Sequence, residues 1–156
     1  MAPNPQKTPA ESGTVVVNSR RFGSFAVRED QIIHLVPGLL GFSRLHRYVL
    51  IEHQPGSPFL WLQSLDDPEL AFVVLDPGHI VPEYRPEPWA EIMKELEAES
   101  AEDLKVLVIV TIPPGQPQEM TANLMGPVVI NVKNCRGRQV IVEDPRYSHK
   151  HRLLDR

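Results

Sequence analysis

Short apolar runs separated by turn residues dominate the chain, and most of the runs are rich in β-branched residues. "TVVVNS" (14–19) is the first. "GSFAV" (23–27) and "QIIHLV" (31–36) flank the charged turn "RED". "PGLLGF" (37–42) holds one proline and two glycines, which predicts a structured turn whose apolar residues point back to the core. "RYVLIEH" (47–53) is closed by "QPGSP", a strong turn signal. "FLWLQSL" (59–65) and "AFVVLDP" (71–77) read as two strands around the acidic loop "DDPEL".

The period then changes. Trp89, Ile92, Met93 and Leu96 stand at i, i+3, i+4 and i+7, which predicts one principal helix near 87–97. Pro88 suits its first turn, and Glu91 suits its positive N-terminal end. Glu95, Glu97 and Glu99 fall on the wet side. "LKVLVIVTI" (104–112) reads as a strand buried on both faces. "EMTANLM", "PVVINVKN" and "RQVIVED" then predict a meander, with "NCRGR" as the last hairpin loop. Roughly nine strands and one helix give a mainly β fold: a compact antiparallel barrel-like domain over 14–156, with the helix covering one side or end. Residues 1–13, rich in Pro and polar residues, are expected to form a disordered tail.

Composition sharpens this picture. Sixteen prolines in 156 residues favour short strands and many turns over long helices. The single cysteine, Cys135, excludes an intrachain disulfide and a multi-cysteine zinc site. The first residues lack a secretory apolar core, and "VLVIVTI" is too short to span a bilayer, so the expectation is a cytoplasmic protein without a membrane role. Net charge is −4, unevenly spread. Residues 82–103 carry eight acids against two bases, and residues 104–156 carry four against eight. An acidic whole favours a basic protein partner over nucleic acid.

Candidate chemistry is thin, and neither cofactor nor metal is expected. His149-x-His151 is the only close histidine pair and lacks further ligands. No G-x-S-x-G, H-E-x-x-H or phosphate-cradling loop occurs. Arg136 beside Cys135 could lower the thiol pKa, but a lone cysteine is more often packed than reactive. Adjacent Asp66 and Asp67 on one loop point apart, which favours a solvated loop over a carboxylate pair. Trp61 and Trp89 sit at apolar periodic positions and are expected in the core. Arg136, Arg138, Arg146, Lys150 and Arg152 could touch RNA, but the aromatic interleaving of single-strand binders is nearly absent.

"TANLMGPVVIN" (121–131) looks like a strand end, a break and a new strand. Met120, Ala122 and Leu124 alternate onto one face, and Thr121, Asn123 and Met125 onto the other. Pro127 donates no N–H, and Asn123 and Asn131 could bond to backbone near the break. A well-made corner is one reading. A surface offering Asn123 and Met125 to a partner is the other.

Together, "PGLLGF", "SPFLWLQSLDDPELAFVVLDP", "TANLMGPVVINVKN" and "RQVIVED", in this order, resemble the bacterial flagellar assembly factor FliW family over roughly 14–154. Leu40 replaces a proline of the family's first turn, and Gly126 stands where an alanine often precedes the second proline. Both departures lie in turns. The resemblance implies a non-enzymatic factor that works by partner exchange. It would hold the basic translational repressor CsrA when flagellin is scarce, and release it when flagellin accumulates and binds instead. On this reading Asp66, Asp67, Glu69 and Glu83, with the acidic 82–103 segment, are candidates for the CsrA side. Met120, Asn123, Leu124 and Met125 are candidates for the flagellin side. An RNA-contacting translation regulator using the basic C-terminal region is the alternative.

Overall fold

The computed structural model describes residues 13–154, so the expected tail at 1–13 lies, but for Gly13, outside the described residues. Strands β1 (Thr14–Ser19) and β2 (Gly23–Arg28) form a separate antiparallel hairpin. The main sheet is built from β3 (Ile33–Leu35), β4 (Arg47–Glu52), β5 (Phe59–Ser64), β6 (Ala71–Leu75), β7 (Leu104–Thr111), β8 (Thr121–Ala122), β9 (Val128–Asn131), β10 (Arg136–Gln139) and β11 (His151–Arg152). Helix α1 spans Trp89–Glu95. The order β9-β7-β6-β5-β4-β3-β10 closes on itself, because β7 also pairs with β9. The result is a closed seven-stranded barrel, so the mainly β, barrel-like expectation holds, with fewer strands in the ring than the nine expected.

One pair departs from the expected antiparallel scheme. β10 meets β3 in parallel, Arg136 opposite His34 and Gly137 opposite Leu35. "NCRGR" is not all loop, since Arg136 already opens β10. The expected strand over "RQVIVED" is shifted toward its start, and 140–142 keep only backbone bonds from Val140 N–H to Pro127 O and from Val142 N–H to Met125 O.

Strand apolarity is two-sided because both faces of the wall are covered. Leu35, Tyr48, Leu62, Val74, Leu107 and Val128 fill the barrel interior. Val49 and Ile51, on the other face of β4, are covered by Val17, Phe25 and Val27 of the hairpin. Leu75, Val108, Val110 and Ala122 are covered by Val142 and Tyr147 of the C-terminal segment. Val129 lies under Trp89, Ile92 and Leu96 of the helical segment. Trp89 is therefore a core residue. Trp61 is only partly buried, between Phe22 (5.9 Å, edge-on) and the Arg21 guanidinium 4.2 Å from its ring centroid.

The helix is shorter at both ends than the periodicity predicts, because tertiary contacts stop it. Glu97 takes a positive φ of 56°, and the Leu96 carbonyl accepts from Asn131 Nδ2 (2.9 Å) and Asn134 Nδ2 (3.1 Å) of the β9–β10 turn. Those side-chain donors satisfy a carbonyl that the helix end would leave orphaned. Asn131 thus serves the helix and its own turn, not the break at Gly126-Pro127.

"TANLMGPVVIN" is a detour in the barrel wall. β8 and β9 both pair with β7, Ala122 opposite Val110 and Val128 opposite Leu107. Six steps of chain therefore cover three of β7, and residues 123–127 loop out. Asn123 Oδ1 holds the loop by accepting from the N–H groups of Met125 and Gly126, both at 3.0 Å. Tyr84 Oη donates to Leu124 O at 2.5 Å.

Candidate protein-binding site

Strand directions bring three of the singled-out motifs to one end of the barrel. β3 ends and β4 begins there, on either side of the 36–46 loop. The acidic loop between β5 and β6 lies at the same end, and so do the end of β10 and the detour before β9. Hydrogen bonds join them. Asp66 Oδ2 accepts from the backbone N–H groups of His46 (3.3 Å) and Arg47 (3.1 Å), and Asp66 Oδ1 takes two bonds from the Arg47 guanidinium. Leu40 N–H donates to Gln139 Oε1 at 2.9 Å, while Gln139 Nε2 donates to Gly126 O at 2.9 Å. One glutamine side chain thereby locks the 36–46 loop to the detour.

The network presents apolar side chains outward. Leu39 is buried and anchors the loop, but Leu40 is 67% exposed, Val36 66% and Phe42 38%. Phe42 leans edge-on against Phe72 with centroids 5.3 Å apart. The expectation that "PGLLGF" turns its apolar residues inward therefore holds for Leu39 alone of these. A polar loop would cost less exposed apolar surface, so this rim is the feature of the end that asks for a partner. Beside it lies a recess of about 310 Å³ lined by Leu39, Leu40, Phe72 and Ile109, with Asn123 and Lys150 at its polar side.

The predicted residues distribute as follows. Met120, Asn123 and Met125 are half-buried around the detour. Leu124 is fully buried with Val108, Val110 and Tyr147, so it supports the detour from beneath and offers no surface of its own. Asp66, Asp67 and Glu69 share the acidic loop but are not simply solvated. Glu69 pairs with Arg20 at 2.7 Å, and Asp67 Oδ1 accepts from Glu69 N–H at 3.0 Å. Glu83 is on a different segment, between β6 and α1, and is exposed. Val36, Leu40, Phe42 and Gln139 were not singled out as contacts. For Leu40 and Phe42 the signal was the run "LLGF", which reads equally as core; Val36 and Gln139 carried none.

Asp66 has a structural role that its loop position conceals. Burial disfavours its charge, but the hydrogen bonds from Arg47 and His46 outweigh that and hold the carboxyl below its usual value. Asp66→Asn is expected to cost about 1–3 kcal/mol near neutral pH, as a charge-assisted bond set is weakened. A lowered folded-state pKa means this contribution is present above about pH 4 and lost as pH falls through the folded value. Urea unfolding of both proteins between pH 7 and pH 2 should show the gap closing below about pH 4. A gap independent of pH would remove the carboxylate charge as its source.

The charge asymmetry of the sequence cancels in part. Glu95 pairs with Arg138 and Glu97 with Arg136, across α1 and β10, and Asp103 meets Lys133. Arg146 pairs with Asp144 and Arg152 with Glu119, each at 2.7 Å. Of the five bases considered for RNA, only Lys150 has no carboxylate partner among the described residues. Cys135 is no activated thiol either. Burial and the Asp30 charge push its pKa up, against the expected effect of Arg136, and its Sγ donates to Asp30 O. Among the described residues no group of three His, Cys, Asp or Glu could hold a metal, and no helix is long and apolar enough to cross a membrane.

Comparison with known proteins bears on the barrel as a whole. The "FliW protein" family profile matches residues 16–153. A flagellar assembly factor FliW from Treponema denticola is 42% identical over 139 residues, covering 88% of this chain and 92% of the relative. One from Caldanaerobacter subterraneus subsp. tengcongensis is 39% identical over 140 residues, covering 89% and 93%. A crystal structure of the flagellar assembly factor FliW superposes with a TM-score of 0.81 at 31% identity, over 91% of this chain and 99% of that one. A profile match over nearly the whole barrel, backed by relatives of the same length and the same fold, leaves one assignment: this chain belongs to the FliW family.

Proposed function

We propose that this chain is a non-enzymatic regulator of flagellum assembly that binds the translational repressor CsrA and flagellin by exchange. Its relatives' names as flagellar assembly factors support the first half. The observation that carries the binding role is the exposed rim of Val36, Leu40 and Phe42, held in place by Gln139. An apolar rim on a hydrogen-bonded support is pre-organised for a protein surface, because little ordering cost remains on binding. For the basic repressor the available acids are Glu83, Glu91, Glu99 and Glu102, in and beside the helical region, since Glu69 is held by Arg20. These glutamates are outward, whereas Glu95, Glu97 and Asp103 are engaged by Arg138, Arg136 and Lys133.

Exchange does not follow from size. The molecule exposes 9351 Å², and a standard interface takes about 800 Å² from each partner, so two patches fit. Mutual exclusion needs overlapping patches or a reciprocal coupling. CsrA affinity is expected to fall at least roughly tenfold in saturating flagellin, a coupling of ordinary size. Titration calorimetry with and without flagellin measures it. Equal affinities, with a ternary complex on sizing, would leave two independent binding activities and no switch.

A further inference from the structure

The recess beside the apolar rim is lined by ten residues, and none is acidic. Its floor is apolar: Leu39, Leu40, Phe72 and Ile109. Its polar side includes donors. Asn123 spends its Oδ1 on the N–H groups of Met125 and Gly126, and its Nδ2, which lies beside Gly126, has no acceptor bonded to it among the described residues. The side chains of Thr111, Thr121 and His149 line the same space, as does Lys150, whose ammonium has no carboxylate partner among the described residues. Arg20, Arg28, Arg47, Arg136, Arg138, Arg146 and Arg152 are paired with acids, while Arg44, exposed in the 36–46 loop of the same end, has no carboxylate partner among the described residues and adds a second unpaired cation there. An unpaired cation and a free amide donor over an apolar floor complement one chemistry, an apolar group next to a carboxylate.

From this charge complementarity we infer that the recess and rim bind a partner's peptide segment in which apolar side chains are followed closely by Asp or Glu. The apolar side chains lie on Leu40, Phe42 and Phe72. The carboxylate is received by Asn123 Nδ2 and Lys150. The inference rests on the proposed binding function and deepens it. It assigns the recess to an acidic, apolar-faced segment; the acids of the β5–β6 loop lie at the same end but outside the recess lining. Val36 and Phe42 are exposed beyond the recess lining, which suits a segment longer than the recess.

The test uses the full chain and three labelled synthetic peptides that share one set of apolar residues and differ only in carrying Glu, Gln or Lys beside them. Fluorescence anisotropy is read at low and high salt, against the wild type and the folded variants Lys150→Glu and Leu40→Asp. A single-stranded RNA of the same label forms a fourth arm. The Glu peptide should bind wild type most tightly and lose about tenfold with Lys150→Glu, while the Lys peptide gains. Leu40→Asp should weaken all three peptides. Equal binding of the Glu and Lys peptides, no binding by any peptide, or RNA binding that Lys150→Glu abolishes would each overturn the inference. Flagellin binding by wild type is measured in parallel. Its absence would count against the proposed function, while the peptide ranking still decides the recess.

Discussion

Replacing Gly137 by alanine is expected to destabilise the protein by about 3 kcal/mol or more, the upper range for overpacking a closed core. Gly137 sits where the barrel closes, opposite Leu35 of β3 on one side and Ile130 of β9 on the other. A Cβ there would lie 2.7 Å from Val129 O, 2.9 Å from Leu35 Cδ2 and 3.1 Å from Ile130 Cγ1. The nearest atom is a backbone oxygen in a strand held on both sides, by β7 and by β10, and so cannot retreat alone. Leu35 is fully buried in the barrel interior among Tyr48, Leu62 and Ile130. Relief requires β10 to separate from β9, which opens the ring. Urea denaturation measures the cost. A variant within about 0.5 kcal/mol of wild type, the range of an ordinary surface substitution, would show that β10 is not pinned as described.

Gly38→Ala should act on binding more than on stability. The added Cβ would meet Phe42 O at 2.6 Å, Leu45 O at 2.7 Å and Ser43 C at 3.0 Å, all backbone of the same loop. The loop is a tight coil, with Phe42 N–H bonded to Leu39 O and Leu45 N–H to Phe42 O. Alanine forces this coil to open, which displaces Leu40 and Phe42 from the rim and breaks the register of Leu40 N–H with Gln139. The barrel wall is not touched, so the stability loss should stay near 1–2 kcal/mol, the lower part of the overpacking range. Flagellin affinity, measured on the folded variant, should fall by more than about tenfold, as expected when apolar anchors of an interface are misplaced. Unchanged flagellin affinity would detach the rim from the binding role.

The two glycines differ in how legible they were. Gly38 lies in "PGLLGF", whose two glycines and proline mark a structured turn in any reading of the chain. Gly137 lies in "NCRGR", which looks like an ordinary polar hairpin loop, because nothing local reveals that β3 will arrive in parallel beside it. The acidic loop shows the same limit. "DDPEL" reads as solvated, yet Asp66 anchors the start of β4, about twenty positions back along the chain. Asn123 was legible as a residue that bonds to backbone at the break. Gln139 was not, since its partners, Leu40 and Gly126, lie 99 and 13 positions away.

The sequence alone determined the elements: runs of β-branched residues between prolines and glycines for the strands, the 3.6-residue spacing of Trp89 to Leu96 for the helix, and the turns that carry the family likeness. These are local effects, set by backbone freedom and side-chain spacing within a few residues. The tertiary structure decided which face each strand residue takes, how the ring closes and which charges survive. Both faces of the barrel wall are covered, by the interior on one side and by the hairpin, helix or C-terminal segment on the other. Apolar alternation therefore cannot tell Leu124, which is buried, from Leu40, which is not. Charge is the same case. Glu95 and Glu97 meet Arg138 and Arg136 across 43 and 39 positions, so part of the acidic segment is neutralised by the basic one, while Glu83, Glu91, Glu99 and Glu102 keep their charge outward. Lys150 stays unpaired among the described residues because the closed ring sets it beside an apolar recess with no carboxylate in its lining.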